Sequence, residues 1–409
     1  MTSVLRRLRI CVLGLGEMGI IHARNLVKFP GVELSLACKR KELLQNLGQE
    51  LRAARTFQNY EEAITDKEIE AVVLATKPRD HAKQVALAAK HGKAIFCEKP
   101  LGYSTEAVAD LEEIVQSSGV KCVIGFQRRF DPCYRGAWEQ TRRSAMGKSL
   151  VLKCTSGDPD FPDKYQRDLG FNSTLLDLAV HDIDLARWLL RSEVARVFAS
   201  CDALVYPHLK DMGESDTALC ILEMESGARC FMHLSRSLRY GYNVTSELVS
   251  ADGTIQIGEV KDTPMVTLKA DEMQAFVDML RGESVSHFAN IHDAIEATRV
   301  AETLVQSWRT GMPARYIWTY DRIESHEECT NSFYPQSETN SGLNKRRGEA
   351  LLETKLGTRD LVKATCGIFF LFGTASVLFF NRLGRVRQTI FWFCRCWRKF
   401  TLKFSHTTL

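Results

Sequence analysis

Residues 8–28 read LRICVLGLGEMGIIHARNLVK. The run Leu8–Leu13 is apolar and short, as a buried strand is. It ends on Gly14-Leu15-Gly16-Glu17-Met18-Gly19, after which the apolar spacing turns helical through Met18–Lys28. A G-x-G-x-x-G between a strand and a helix has a mechanical reading. The first glycine permits the tight turn, the second lets a pyrophosphate approach the backbone, and the third lets helix and strand pack closely, with the phosphates at the positive helix end. Gly14, Gly16, Glu17, Met18 and Gly19 are therefore expected to cradle a dinucleotide; a glycine-rich turn without a ligand is the alternative.

Outward from this stretch, short β-branched runs alternate with amphipathic segments. Val32–Ala37, Ala71–Ala75, Ala94–Cys97 and Lys121–Ile124 read as strands, and Lys41–Leu51, Asp80–Lys90 and Thr105–Ser118 as helices. That alternation predicts an α/β Rossmann domain, a doubly wound parallel sheet covered by helices, over residues 1–128. Beyond about residue 151 the texture changes. One long apolar helix, Leu176–Leu190, precedes strand-like runs at Val197–Leu204, Thr217–Glu223, Arg229–Leu234 and Val244–Val249, two of them joined by Glu225-Ser226-Gly227. Residues 129–320 are thus expected to form an α+β domain on an open, mostly antiparallel sheet.

The chain has 409 residues, 45% hydrophobic and 25% charged, which excludes a small binding module and a disordered or polytopic chain. Its net charge of +4 is unevenly spread: residues 331–409 hold 13 Lys and Arg against 4 Asp and Glu, leaving 41 against 46 in the rest. An acidic body argues against nucleic acid as a partner and assigns any anionic surface to the tail. Thirteen cysteines, without C-x-x-C pairs, suit a reducing compartment and argue against both a disulfide framework and a metal site. Residues 321–363 are polar and read as a flexible linker, and residues 364–409 as a hydrophobic basic tail containing the uncharged run Ala364–Phe380.

Three further stretches bear on chemistry. Where NAD-binding loops usually offer a ribose-binding carboxylate, at the end of the second strand, the chain has Lys39-Arg40. Two cations favour a 2′-phosphate, hence NADP(H) over NAD(H), unless both are merely solvated. Glu98-Lys99-Pro100 sets a lysine at the carboxyl end of a strand, where open α/β sheets bind ligands, although alone it reads as a surface turn. In Leu176–Asp184, LDLAVHDID, Asp177 and His181 are four apart and share a helix face, the spacing of an oriented general base or of a satisfied buried histidine.

Taken in order, GLGEMGIIHARNL, EKPLG, GFQRRFDP (125–132), LDLAVHDIDLARWL and RYGYN (239–243) resemble the glucose–fructose oxidoreductase/inositol 2-dehydrogenase/MocA (Gfo/Idh/MocA) family, most like its myo-inositol 2-dehydrogenase branch, across about residues 6–318. The resemblance implies NAD(P)-dependent hydride transfer between a secondary alcohol of a cyclitol or sugar and the nicotinamide. It implies that Lys99, Asp177 and His181 are catalytic and hold substrate, and that Thr76, His81, Glu98, Lys99 and Gln127 line the cofactor. Tyr240 and Tyr242 then face substrate, no metal takes part, and the chain forms a homodimer or homotetramer. Asn172-Ser173-Thr174 stand where the family has two glycines, and the segment after Ile257 is short, both near the substrate side. The alternatives are a nucleotide-binding regulator without catalysis and an NAD-dependent glycosidase on the same fold.

The body is expected to be cytoplasmic. Seventeen residues at about 1.5 Å each span roughly 26 Å, slightly less than an apolar bilayer core of about 30 Å, so Ala364–Phe380 is expected to attach the protein to a membrane as a single spanning, re-entrant or interfacial segment. The basic aromatic stretch after it, with Cys394 and Cys396, suits the interface. The competing reading is a hydrophobic hairpin packed on the body or a poorly structured extension. Fractionation of cells expressing the full chain and a version ending at Lys345 should place only the former with membranes; full-length protein wholly in the soluble fraction refutes the expectation.

Overall fold

A computed structural model describes residues 6–143, 146–160, 172–239, 241–258 and 265–316, all within one compact unit. The linker 321–363, the run 364–380 with its basic flank, and Tyr240 lie outside the described residues. Among the described residues no helix is long and apolar enough to cross a membrane.

Strand β1 (Leu8–Leu13) is nearly all buried, and β4 (Ala71–Leu74) is wholly so. A strand covered on both faces must be apolar on both, and such strands form the middle of a six-stranded parallel sheet ordered β3-β2-β1-β4-β5-β6. The others are β2 (Val32–Ala37), β3 (Arg55–Phe57), β5 (Ala94–Glu98) and β6 (Cys122–Gly125). Helices α1 (Glu17–Leu26), α2 (Lys41–Glu50), α3 (Tyr60–Thr65), α4 (Pro78–Lys90), α5 (Thr105–Val108) and α6 (Leu111–Ser118) make the connections. The sequence shows one helix over Thr105–Ser118; the chain breaks it at Ala109–Asp110. β3 and α3, three and six residues long, are too short to show periodicity.

After β6 come a 3₁₀ turn, Gln127–Phe130, and α7 (Pro132–Arg142), whose N-cap Asp131 accepts from the amides of Cys133 and Tyr134. A second sheet of seven strands lies beyond, ordered β12-β11-β7-β10-β9-β8-β13. Its members are β7 (Ser149–Gly157), β8 (Val194–Asp202), β9 (Thr217–Met224), β10 (Arg229–Ser235), β11 (Asn243–Ser250), β12 (Gly253–Ile257) and β13 (Ala314–Arg315). All pairings are antiparallel except β7 with β10. One face is core. On the other, Leu150, Leu219, Ile221 and Phe231 are each about 40% exposed or more.

The segment read as one apolar helix begins as a π-turn, Thr174–Leu178, and continues as α8 (Ala179–Leu190). Buried on nearly every side, α8 carries Asp182 and Asp184, which pair with Arg128 and Arg129 of the 3₁₀ turn; Arg129 reaches Asp184 in bidentate fashion at 2.6 and 2.9 Å. These pairs tie the end of the first sheet to the second layer, and deleting one partner would strand a buried charge at a cost of about 3–5 kcal/mol. The remaining helices are α9 (Met265–Leu280) and α10 (Ile291–Thr310), the latter opened by an Asn290/Asp293 capping box. The nine described cysteines are all free thiols.

Candidate active site

The strand order reverses at β1 and β4, and the groups singled out in the sequence gather along this carboxyl edge. Gly14–Gly16 follow β1, Lys39 and Arg40 follow β2, Thr76 follows β4, Lys99 follows β5 and Gln127 follows β6. Open α/β sheets bind ligands outside this edge, at the switch point.

The glycine loop fits a dinucleotide in detail. Gly14 has φ +88°, and a Cβ there would meet the Ala75 carbonyl at 2.5 Å; one on Gly19 would meet the Gly14 oxygen at 1.8 Å. Both are required by protein packing alone. A Cβ on Gly16 would meet no atom within 4 Å, so the loop is open there to a ligand, in front of α1 amides that no described side chain caps. Glu17 and Met18 form the first turn of α1 beside it. The Arg40 guanidinium donates to the Leu15 carbonyl at 2.5 Å, tying the β2 end to the loop. Lys39 lies 5.4 Å over the Tyr60 ring and lines a cavity of about 490 Å³ together with Asn59, Asp80, Lys83 and Gln84.

The turn after β4 is clasped by His81, one ring nitrogen lying 2.9 Å from the Pro100 carbonyl and the other 3.2 Å from that of Thr76. Thr76 donates its hydroxyl to Gln84 at 2.6 Å. His81 thus fixes the turn against the Lys99-Pro100 segment; its contacts are with the protein backbone. Gln127 is buried, with an Oε1 that has no partner among the described residues.

Lys99 extends from the end of β5 to Asp177, its Nζ 3.0 Å from Oδ1 and 3.1 Å from the backbone carbonyl. Burial lowers the Lys99 pKa, and the Asp177 charge works against that fall. The other oxygen of Asp177 accepts from Arg236 at 3.0 Å, and Arg236 also pairs with Asp158. Neither Arg236 nor Asp158 was foreseen. The parallel register of β7 and β10, with Gly157 opposite Ser235, delivers both to one sheet end. The only sequence signal available was a charged residue immediately after a strand, as in Glu98-Lys99.

His181 is buried one turn beyond Asp177, its ring 6.0 Å from that of Phe126 in an edge-on contact. Its Nδ1 has no partner among the described residues, and the carboxylate of Asp177 is taken up by Lys99 and Arg236. The imidazole is held by packing. Burial drives its pKa well below the ordinary histidine value, helped by the positive charges of Lys99, Arg128, Lys269 and Arg236, which favours the neutral ring. Tyr242 is half-buried beside Arg128, its hydroxyl pKa raised by burial. Glu98, expected to face the cofactor, turns inward to His22 and Lys269. Strand alternation explains this: residues 96 and 98 share one face, 97 and 99 the other.

Glu214 also emerges only from the structure. It accepts from the Ser173 amide and hydroxyl at 2.8 and 2.9 Å, and burial pushes its pKa up to about 7. Asn172, Ser173 and Thr174 are all bonded to the 214–215 segment, so their side chains stand where glycines would leave a gap.

An edge that carries a glycine loop suited to a dinucleotide at one end and, at the other, a buried imidazole and a fixed lysine has the groups an alcohol:nicotinamide oxidoreductase must supply. Residues 8–126 match an oxidoreductase family with an NAD-binding Rossmann fold, and residues 134–256 match the GFO/IDH/MocA C-terminal domain. The chain belongs to the GFO/IDH/MocA family. It is 30% identical over 332 residues to a scyllo-inositol 2-dehydrogenase (NAD(+)) of Bacillus subtilis, covering 76% of this chain and 96% of that one. It is 33% identical over 261 residues to a myo-inositol 2-dehydrogenase of Thermotoga maritima, covering 63% and 78%. A crystal structure of myo-inositol 2-dehydrogenase from Lactobacillus plantarum, 26% identical, superposes with a TM-score of 0.70 over 76% of this chain and 100% of that one.

The electrostatics set a direction for pH. Asp177→Asn removes the charge that holds Lys99 protonated, so the ammonium is lost at lower pH. The alkaline limb of kcat/KM should move toward neutrality, with turnover at pH 7 reduced about 100-fold or more; an unchanged limb would separate Lys99 from the reaction.

Proposed function

We propose that this oxidoreductase oxidises a ring hydroxyl of an inositol-type cyclitol, with Lys99, Asp177 and His181 at the reacting carbon. The observation that carries the reading is the Lys99–Asp177 pair at the strand end together with the buried imidazole of His181 one turn further along, its Nδ1 unpartnered among the described residues. His181 takes the hydroxyl proton. Lys99 lowers the energy of the oxygen as negative charge develops on it, a role for a fixed cation in a low-dielectric site. Asp177 keeps that ammonium charged and placed, and Arg236 keeps Asp177 placed. The dinucleotide, when bound, accepts the hydride. Tyr242 bounds the substrate side. The names of the relatives supply the substrate class, and the polar lining of carboxylates and cations suits a ligand that is all hydroxyls.

The dinucleotide is NADP(H) in preference to NAD(H). Lys39 sits at the mouth of the cavity beyond β2, with no carboxylate at the β2 end itself; Asp80 and Glu61, also along that cavity, are offset by Lys83, which pairs with Glu61 at 3.4 Å. Membrane association through residues 364–404 belongs to the same reading.

The deciding experiment incubates purified protein with myo-inositol, scyllo-inositol and a panel of aldoses, with either dinucleotide, and follows absorbance of the reduced nicotinamide. Stoichiometric reduction with a cyclitol is expected, faster with NADP, and Lys39→Asp should reverse the cofactor preference. Reduction with no polyol, or loss of nothing on His181→Ala, overturns the assignment.

The exposed apolar stripe of Leu150, Leu219, Ile221 and Phe231 is the surface on which a second copy seats, so the protein is a homodimer or homotetramer. Light scattering should report more than one copy, and Ile221→Asp combined with Phe231→Asp should yield monomer; a monomeric parent protein contradicts the assignment.

A further inference from the structure

The strand end that carries Lys99 is anchored from behind by a second set of charges. Glu98 Oε1 lies 2.5 Å from Lys269 Nζ and 2.6 Å from His22 Nε2, and the same ammonium donates to Glu272 Oε2 at 3.2 Å. The four side chains come from α1, the end of β5 and α9. None is more than 4% exposed. Phe96 walls the group, packing edge-on against His22 at 5.2 Å and against Phe276 at 5.7 Å.

One ligand atom each from His22, Glu98 and Glu272 lies within 4.8 Å of the others, a separation at which they could share a cation. The cation between them is the ammonium of Lys269. Charge balance follows from burial: it would by itself raise Glu98, but the Lys269 charge and the His22 hydrogen bond bring Glu98 below the ordinary carboxylate range, while burial pushes Glu272 up to about 8. One carboxylate, one ammonium and one protonated carboxyl make a neutral interior.

We propose that Lys269 is a positioning residue for Lys99, its ammonium locking the Glu98 carboxylate so that the next residue presents its own ammonium to Asp177. The inference rests on the proposed role of Lys99. Glu98 and Lys99 are adjacent on opposite faces of one strand end, so any rotation that lets Glu98 escape as an unpaired buried charge also carries Lys99 away from Asp177. A misplacement of about 1 Å at a reacting group costs about 100-fold in rate. Lys269 has a second, smaller effect. Besides burial, the charges of Lys99 at the β5 end, Arg128 of the 3₁₀ turn, Lys269 of α9 and Arg236 after β10 all lower the His181 pKa, with Asp177 and Asp182 on its own segment; removing one of the four cations lets the imidazole hold its proton to higher pH.

The test uses the full chain. Lys269→Met should lower kcat about 10- to 100-fold with little change in dinucleotide affinity, and should move the acid limb of kcat/KM upward. Glu98→Gln with Lys269→Met leaves no unpaired charge of the original pair, and its turnover should lie between the single variant and wild type. Wild-type kcat and pH profile in Lys269→Met, or wild-type turnover in the double variant, overturns the proposal; the second result decides the matter even where the single variant does not fold. If wild-type protein turns over no polyol, the functional reading has failed, and hydrogen exchange of residues 96–102 then decides the positioning claim. Faster exchange in the double variant is expected, and unchanged exchange overturns it.

Discussion

A lysine at the end of a buried strand has lost most of its water, and its charge survives only where a carboxylate comes to meet it. In this fold the carboxylate belongs to a different layer. Asp177 lies 78 residues beyond Lys99, on the segment that leads into α8. The contact therefore demands that the parallel sheet and the α8 layer be docked in one relative position, and much of the remaining polar interior serves that demand. Arg128 and Arg129 hold Asp182 and Asp184 on the same helix, Arg187 joins Glu193 and shares Asp293 with Arg129, and Arg236 holds Asp177 from the second sheet. Well-packed apolar residues could replace such pairs with no loss of stability, but they would lose the directional register that charges impose.

The same arrangement separates proton chemistry from charge storage. His181, with no described partner at Nδ1, has its pKa driven down by burial and by the cations around it, while Asp177 opposes the fall that burial imposes on Lys99. Burial lowers both groups, and the facing carboxylate opposes that fall at Lys99 alone, which divides the roles of base and fixed cation between them.

The strand-and-glycine stretch, the alternation to residue 125 and the second sheet's strands were all legible because hydrophobic period and turn residues are local signals. Lys99, Asp177 and His181 could be picked out, and the first two do meet. The partners that fix them were not legible: Arg236, Asp158, His22 and Lys269 look in isolation like any charged or helical residue, and only the β7/β10 register and the packing of α1 and α9 against β5 bring them in. Glu98 is the instructive case. Period-two alternation places it with Phe96, away from the ligand edge, so its inward turn could have been read from the same pattern that identified the strand. The helix read over Leu176–Leu190 is helical throughout, but its opening π-turn was not legible, since apolar spacing does not reveal an added residue inside a helical turn.

That added residue has its own consequence. A π-turn at Thr174–Leu178 carries one residue more than an α-turn, equivalent to about 100° of helical rotation between the chain on its two sides. The direction of Asp177 relative to His181 is thereby set by how many residues the turn contains. Substitutions within it leave that phase intact, whereas loss of a single residue would rewind the turn to regular helix and swing the carboxylate out of line with the strand end. In this short stretch it is chain length, more than side-chain identity, that the architecture cannot give up.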